Sequence, residues 1–395
     1  MGAELLVRGF QQQMRALCRP FESGTGQLPL LGLALSGGSD SMALAQLCRE
    51  AGVPLAGCLH VDHRLRRESA QEAAAVQRWA CERLRLPCEV ASMPWPAGEA
   101  PVPPSSASRR ARELRREALA AWARRKGLSL VLMAHHAGDQ AETLFMRIAQ
   151  QTGLQGLQCI RPLAPLHSVA SEIRFTFSSD AARSEEQVEK ERELEGERKR
   201  REDRQRGKRR PPEYPVWLVR PLLSVRKEQL RGFCQERGVP FLPSPENDDP
   251  TLNSRQACRQ VLSSHPELEA LALRSVAGVA ALNGRLDAEV QAFLLTHSSL
   301  YHAVPGCPIE LDLRALATRF HPEHLFRVLE ILNHDIGLQP FGVPVAQIER
   351  FLRTHLRAFI STGKLAHRVT LGCLLLQSLG SGWVIILNAN HPQHL

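Results

Sequence analysis

Residues 30–41, LLGLALSGGSDS, join an apolar run to a Gly- and Ser-rich turn, and a helical pattern begins directly after them. This order predicts a strand, a tight loop and a helix, which together direct backbone N–H groups and a helix N-terminus toward an anion. Gly37 and Gly38 permit a sharp turn and a close approach of phosphate to the backbone. Asp40 can hold a metal ion or cap the helix. Hydroxyl donors are added at Ser36, Ser39 and Ser41. The alternative is an ordinary turn that closes a βα unit.

The turn lacks the lysine of the GxxxxGK[ST] nucleoside-triphosphate motif. A loop without that lysine suits the binding and release of pyrophosphate better than transfer of the γ-phosphoryl group. It resembles the pyrophosphate loop of the N-type ATP pyrophosphatases, which adenylate a carbonyl oxygen and then displace AMP with a nitrogen or sulfur nucleophile. This resemblance implies ATP as the cofactor and a pyrophosphate site at Ser36–Ser41.

The composition bounds the class of protein. The chain has 395 residues, of which 43% are apolar, so it can hold two domains. Its net charge of +9 suits a polyanionic partner. Its apolar runs are shorter than the ~20 residues of a membrane span. Ten cysteines occur without a CxxC pair, which favours reduced thiols in an intracellular protein, cytoplasmic or mitochondrial, and not secreted. The amphipathic first twenty residues fit either a weak mitochondrial presequence or a first helix that packs on the domain.

A second motif lies where the predicted strand 54–61 ends, at His60 and Asp62. Ligands of open α/β sheets bind at the carboxyl ends of strands. The alternative is a solvated loop with incidental histidines. HVDHRLRRESAQEA resembles a block of the tRNA(Ile)-lysidine synthetases, in which a glycine stands at the position of Arg64. The resemblance implies that His60 and Asp62 help to bind the nucleotide. If the backbone there requires φ > 0, arginine costs roughly 1 kcal/mol.

The stretch 105–127 predicts a helix with eight Lys/Arg against two acidic residues. Such runs are usually solvated charged faces. Ala111-Arg112-x-x-Arg115 resembles the AR-x-x-RY block of the same family, with Arg116 in place of tyrosine. The resemblance implies that Arg112 and Arg115 are catalytic residues that neutralise phosphate or developing charge.

The stretch 128–134 predicts a strand that runs into His135-His136-x-x-Asp139-x-x-Glu142-Thr143 at the start of a helix. Asp139 and Glu142 project to one side of that helix, where they either complement its dipole or complete a Mg²⁺ site with Asp40. The block resembles AHH-x-x-D-x-x-ET of the lysidine and 2-thiocytidine synthetases. It implies catalytic roles for Asp40, His135, Asp139 and Glu142. The general base remains open among Asp40, Asp139 and His135.

The chain divides into four predicted regions. Residues 1–166 form the first part of an ATP pyrophosphatase domain, and 214–245 supply its last strand and helix. Between them, 167–213 read as a charged insertion without a core of its own, because residues 183–210 carry twelve Lys/Arg and nine Asp/Glu. Residues 246–395 form a smaller, mainly helical region that ends in a hairpin with its turn at 380–382. Two arginines near its start, Arg255 and Arg259, each lie one residue later than in the family's RN-x-x-R block.

These blocks, in order over residues 30–260, imply a parallel, doubly wound α/β sheet followed by a smaller helical domain. The function they imply is attachment of free L-lysine to C2 of the wobble cytidine of tRNA, with ATP and Mg²⁺, releasing AMP and pyrophosphate; a homodimer is left open. One alternative is a 2-thiocytidine-type thiolase, whose paired cysteines are missing here. The other is a non-catalytic tRNA-binding relative, suggested by Arg64, by Ser254 and by the lack of the further C-terminal domain of bacterial members.

Overall fold

The computed structural model contains two compact units, Met1–Ala277 and Gly278–Leu395. The structure describes the following residues: 2–22, 24, 26–64, 68–93, 104–166, 175–178, 216–243, 254–299, 309–319, 324, 327–329, 331–332, 350–356, 359, 362, 368–371, 374–380 and 383–388. Within these residues, no helix has both the length and the apolar character that crossing a membrane requires.

The first unit is built on a seven-stranded sheet. Its strands are β1 (Leu31–Ala34), β2 (Leu55–Asp62), β3 (Cys88–Ser92), β4 (Leu130–Leu132), β5 (Leu163–Pro165), β6 (Thr176–Ser178) and β7 (Trp217–Val219). The order across the sheet is β5-β7-β4-β1-β2-β3-β6. The five inner strands are parallel, whereas β5 and β6 pair antiparallel at the two edges. The C-terminal ends of β1, β2, β4 and β7 therefore lie along one edge of the sheet.

Helices follow most of these strands. They are α1 (Ala3–Cys18), α2 (Ser39–Glu50), α3 (Ser69–Glu82), α4 (Pro104–Arg125), α5 (Ala137–Ala149), α6 (Leu154–Leu157), α7 (Lys227–Glu236), α8 (Ser254–Ser264) and α9 (Pro266–His297), of which α9 continues past residue 277 into the second unit. The buried side of α1, which includes Phe10 and Met14, packs into the core with α2, so the amphipathic first segment is a packing helix in this fold.

Alternate side chains of the strands enter two separate cores. Leu31 and Leu33 of β1 join the core beneath α1, α2 and α7, while the opposite side of the sheet packs on Trp122 of α4. Gly32 lies on that second side, where a Cβ atom would come within 2.5 Å of the Trp122 ring. Helices on both faces of a mainly parallel sheet are the doubly wound α/β arrangement that the sequence predicted. That prediction is confirmed.

Within the described residues, the charged segment 167–213 contributes strand β6. Residues 176–178 form β6, which extends the sheet beside β3, and Phe177 packs against the guanidinium of Arg125. This strand was not predicted from the composition. Residues 167–174 and 179–213, on which the prediction of a coreless insertion mainly rests, lie outside the described residues.

Helix α8 belongs to the first unit because it packs on α5. Leu262 of α8 shares a small core with Ala141 and Leu144 of α5 and with Val276 of α9. The division of the chain at residues 277 and 278 therefore falls later than the predicted start of the C-terminal region at 246. The link is a long-range apolar contact, which composition does not reveal.

The second unit contains a five-stranded antiparallel sheet. Its strands are β8 (Ser298–Ser299), β9 (Ile309–Asp312), β10 (Val369–Leu371), β11 (Leu374–Gly380) and β12 (Trp383–Asn388), in the order β10-β11-β12-β9-β8. The hairpin predicted at the end of the chain is confirmed as β11 and β12, with Gly380 opposite Trp383. The other three strands were not predicted. Helix α10 (Leu313–Arg319) follows β9.

Candidate functional site

The loop between β1 and α2, hereafter the Ser36–Ser41 loop, is folded around the hydroxyl of Ser41. That oxygen accepts hydrogen bonds from Ser36 Oγ at 3.0 Å and from the backbone N–H of Gly37 at 3.1 Å, and it donates to the Gly38 carbonyl at 3.0 Å. Helix α2 starts at Ser39, and the N-cap residue Gly38 contributes no capping side chain. The first turn of α2 therefore has no N-cap side chain to accept its N–H groups, and such a helix start suits an anionic ligand.

Gly37 adopts φ +86°, a conformation that other residues rarely accept. A Cβ atom there would lie 2.4 Å from Val76 of α3 and 2.9 Å from Leu242. The backbone N–H of Leu242 also donates to the Gly37 carbonyl at 2.9 Å. The loop is thus contacted by two parts of the chain that are distant in sequence, which fixes its shape before any ligand binds.

His136 joins the loop to α5. Its Nδ1 accepts the N–H of Gly138 at 3.1 Å, so in the neutral ring the proton lies on Nε2. Nε2 is 3.6 Å from Asp40 Oδ2 and 3.7 Å from Asp139 Oδ2. The ring is buried and caps α5 reciprocally with Asp139, whose Oδ2 accepts the His136 backbone N–H at 3.0 Å. Two carboxylates from different elements therefore converge on one imidazole.

The two acidic residues of α5 are bound by arginines of α8. Arg255 donates to Glu142 Oε2 at 2.7 Å and to Asp139 Oδ1 at 3.2 Å, and Arg259 donates to Glu142 Oε1 at 2.7 Å. Burial raises the pKa of Asp139, but His136, His135 and Arg255 outweigh burial and hold that pKa below its usual value. Asp139 is therefore ionised at neutral pH.

The three predicted metal ligands, Asp40, Asp139 and Glu142, differ in how far their side chains are exposed to solvent. The side chains of Asp40 and Asp139 are 25% and 17% exposed, whereas Glu142 is 3% exposed with both oxygens held by arginine. Among the residues that the structure describes, no three His, Cys, Asp or Glu side chains come together as a metal site. Mg²⁺ commonly takes only one or two carboxylates together with phosphate oxygens and water, so Asp40 and Asp139 fit such an ion.

The end of β2 supports the loop through backbone contacts. His60 Nδ1 donates to the carbonyl of Leu35 at 2.9 Å, and burial is the main reason that the pKa of His60 is lowered. Asp62 Oδ1 accepts the N–H of Arg64 at 2.9 Å. Arg64 has φ +49°, which agrees with the positive φ considered for the family's glycine position. His60 and Asp62 are buried, and their described side-chain bonds go to the backbone, that of His60 to the residue directly before the loop.

Basic side chains gather around His135, which follows β4. Burial, and then repulsion from Arg220, Arg255 and Arg115, lower the pKa of His135 to about 4 despite the opposing charge of Asp139. Its Nδ1 is buried without a hydrogen-bond partner among the described residues. The pKa values of Arg112 and Arg115 are also lowered, by burial and by neighbouring guanidinium groups, although both side chains reach solvent.

The structure thus brings Asp40, His135, Asp139 and the Ser36–Ser41 loop to one edge of the sheet. Sequence reasoning did not assign His136, Arg116 or Arg220 to the site, and it mentioned Arg255 and Arg259 only for their register. The i, i+4 spacing of the last two on a helix was the available signal, because it puts both guanidinium groups on one side.

Comparison with known proteins identifies the family of this chain. Residues 8–265 match the ATP-binding PP-loop domain family, and the chain belongs to that family.

Three curated relatives are named tRNA(Ile)-lysidine synthase. The protein of Novosphingobium aromaticivorans is 44% identical over 233 residues, which cover 59% of this chain and 55% of the relative. That of Zymomonas mobilis is 30% identical over 237 residues, or 60% of this chain and 56% of the relative. That of Ruegeria pomeroyi is 30% identical over 310 residues, or 78% and 60%. The chain therefore spans less than two thirds of the length of these relatives.

Proposed function

We propose that this protein is a tRNA(Ile)-lysidine synthetase-type ligase that uses ATP and free L-lysine to modify the wobble cytidine of a tRNA. The observation that carries this proposal is the lysine-free Ser36–Ser41 loop, with Asp40 and Asp139 facing one another across His136. The membership of the PP-loop family and the names of the relatives support the choice of reaction. An RNA substrate also suits the net charge of +9.

In this proposal the loop binds the phosphates that leave as pyrophosphate. The first turn of α2 and the backbone of Gly37 and Gly38 provide a fixed, positively polarised surface for them. Because the loop carries no lysine, it does not grip the γ-phosphate by a charged side chain, and a whole pyrophosphate group can depart. The C2 oxygen of cytidine attacks the α-phosphorus, the α–β bond breaks, and the adenylated base remains.

Asp40 and Asp139 are the residues that would hold Mg²⁺ beside the loop. The ion, when bound, neutralises phosphate charge as it develops on the leaving group. His136 keeps the two carboxylates at a fixed separation, since its Nε2 lies near both. We leave Glu142 out of this set because its side chain is only 3% exposed and both of its oxygens accept bonds from arginines, whereas Asp139 is 17% exposed and accepts one arginine bond. The role of Glu142 in the proposal is to fix α8 against α5.

In this proposal Arg112 and Arg115 contact phosphate groups, and the exposure of their side chains on α4 supports that role. His135 stays neutral at physiological pH since its pKa is about 4, so it serves as a hydrogen-bond partner and not as a cation. The lysine amine then attacks C2 and AMP leaves with its electron pair. The proton of the amine goes to a base that remains open among Asp40, Asp139 and His135. We place the reaction inside the cell, where tRNA is found.

Mass analysis of tRNA nucleosides tests the proposal directly. The protein is incubated with ATP, Mg²⁺, unmodified tRNA and isotopically labelled lysine, and the nucleosides are then separated. We expect a cytidine whose mass is raised by one labelled lysine less one water, with equal amounts of AMP and pyrophosphate. Formation of ADP, or incorporation of sulfur when a sulfur donor replaces lysine, would contradict it. Tight tRNA binding without pyrophosphate release would favour the non-catalytic alternative.

A further inference from the structure

Two arginines that the proposed reaction does not use lie close together near this edge of the sheet. Arg116 belongs to α4, and Arg220 directly follows β7. The position of Arg220 is fixed, because its backbone N–H donates to the Pro162 carbonyl and its guanidinium donates to the Arg161 carbonyl, both at 2.8 Å. Leu119 and Trp122 of α4 share a core with Val216 and Leu218, which brings the α4 turn that carries Arg116 to β7 and Arg220. The charge of Arg116 is, after burial, the main cause that lowers the pKa of Arg220, to about 10.

Both guanidinium groups are left incompletely satisfied. The Nε atoms of Arg116 and Arg220 are buried, and neither has a hydrogen-bond partner within the described part of the chain. A buried N–H without an acceptor is unfavourable, and a buried cation without a counter-charge is more so. Two such groups side by side indicate that an acceptor with negative charge belongs between them.

Four carboxylates of α4, α5 and β3 are engaged with other cations. Asp139 and Glu142 are bound by Arg255 and Arg259 of α8, and Glu113 pairs with Arg110. Glu89 is held by Arg125 and Lys126. No ion pair joins a carboxylate of the described residues to Arg116, Arg220, Arg112 or Arg115, which together we call the arginine cluster. The charge of the cluster is therefore not neutralised by these parts of the protein.

We infer that Arg116 and Arg220 form a phosphate-binding site, separate from the Ser36–Ser41 loop. Guanidinium groups present several N–H donors in one plane and match the oxygens of a phosphate, which can accept from both arginines at once. The phosphate belongs either to the RNA backbone or to the nucleotide. The inference rests on the proposed function only in naming tRNA and ATP as the two molecules that can supply this phosphate.

The affinity test compares Arg116→Gln and Arg220→Gln with Arg110→Gln, a matched loss of one charge from the exposed side of α4. Binding of unmodified tRNA and of ATP is measured by titration over a range of KCl concentrations. If the RNA backbone is the source, each of the first two variants weakens tRNA binding about 5- to 10-fold at 0.1 M KCl and lowers the salt slope by about one. ATP binding is then unchanged, and Arg110→Gln behaves as the parent. Loss of ATP affinity alone identifies the nucleotide as the source.

A stability measurement keeps the test independent of RNA. Because the two cations repel one another, the ligand-free Arg116→Gln protein should melt at a higher temperature than the parent. Inorganic phosphate should then raise the melting temperature of the parent more than that of either Gln variant. Arg220→Lys preserves the charge but not the planar donors, and it should keep only part of the phosphate effect.

The inference is overturned if both Gln variants bind tRNA and ATP as the parent does, or if Arg116→Gln lowers stability and leaves the phosphate response intact. Pyrophosphate release is assayed on the same samples. A parent that releases none, while the Gln variants still lose affinity, would contradict the proposed function and leave the phosphate site standing. If the parent releases pyrophosphate and the Gln variants bind tRNA and ATP normally, the phosphate site is contradicted and the proposed function stands.

Discussion

The Ser36–Ser41 loop and the arginine cluster belong to the same domain, and each suits an anion by a different physical means. The loop relies on backbone geometry: Gly37 at φ +86°, the start of α2 and the hydroxyl of Ser41 fix the shape of a surface that carries no cationic side chain. The cluster relies on net charge, with side chains that repel one another until a ligand arrives. The first should therefore respond to changes in shape and the second to salt and pH.

The largest effect is expected from Gly37→Ala. The new Cβ would lie 2.4 Å from Val76 at a positive φ, so the loop must move, with a cost of about 1–3 kcal/mol in stability. Pyrophosphate release should fall at least ~10²-fold, equivalent to about 2.7 kcal/mol in the barrier. Gly38→Ala is the matched control for stability, because φ is −71° there and the nearest atom to its Cβ is 3.8 Å away. Melting curves that move equally in the two variants would refute the steric account.

Asp139→Asn probes the charge beside the loop. Asparagine keeps an oxygen that can accept the His136 backbone N–H, but it loses the charge that pairs with Arg255, so a loss of stability of about 1 kcal/mol is expected and is measured alongside. If Asp139 helps to place Mg²⁺, loss of its charge should slow pyrophosphate release by ~10²-fold, because metal-assisted stabilisation is worth several kcal/mol. Affinity for tRNA should remain that of the parent. Equal release by variant and parent would remove Asp139 from the catalytic set.

A smaller loss of rate is expected when His136, which lies near both Asp40 and Asp139, is replaced. His136→Asn retains a side-chain oxygen that can accept the Gly138 N–H, but it cannot reach Asp40 and Asp139 as Nε2 does. We expect about a 10-fold loss of rate and a raised Mg²⁺ requirement, in line with supporting residues of metal sites. His136→Gln, whose amide extends further, should recover part of both. If the Mg²⁺ requirement stays constant in both variants, His136 acts only as a helix cap.

The smallest expected effect is on the pH dependence of stability, through His63, whose pKa is influenced by Arg115 of the arginine cluster. Burial, and then the charge of Arg115, lower the pKa of His63 to about 4, below its ordinary value of 6.5. Between those values the unfolded chain binds a proton that the folded protein does not, so stability falls as the pH decreases from 7 to 5. His63→Gln should reduce that fall by about 1 kcal/mol, allowing for partial exposure. Urea unfolding of the parent and the variant at pH 7 and pH 5 measures this loss of unfolding free energy. The same loss in both proteins would contradict the lowered pKa of His63.

The comparison also separates what the sequence could predict from what it could not. Local patterns predict the Ser36–Ser41 loop, the ends of β2 and β4 and the helices that follow them. In each case the strand, the turn and the start of the helix lie within a few residues of one another. The pairing of Arg255 with Glu142 joins residues 113 positions apart, and it depends on the packing of α8 on α5. The proximity of Arg116 to Arg220 likewise requires the order of the strands. Strand β6 was missed because three residues in a charged stretch carry too little signal.

The hydrogen bond from Leu242 to Gly37 has a consequence for biosynthesis. The loop leaves the ribosome early, yet the residue that holds its outer side is made only after most of the domain. At about 5–20 residues per second the nascent chain waits for tens of seconds with β1 and α2 available but the turn unsupported. Completion of the phosphate surface is therefore a late, long-range event, and translation that stops before residue 242 would yield a sheet without a finished site.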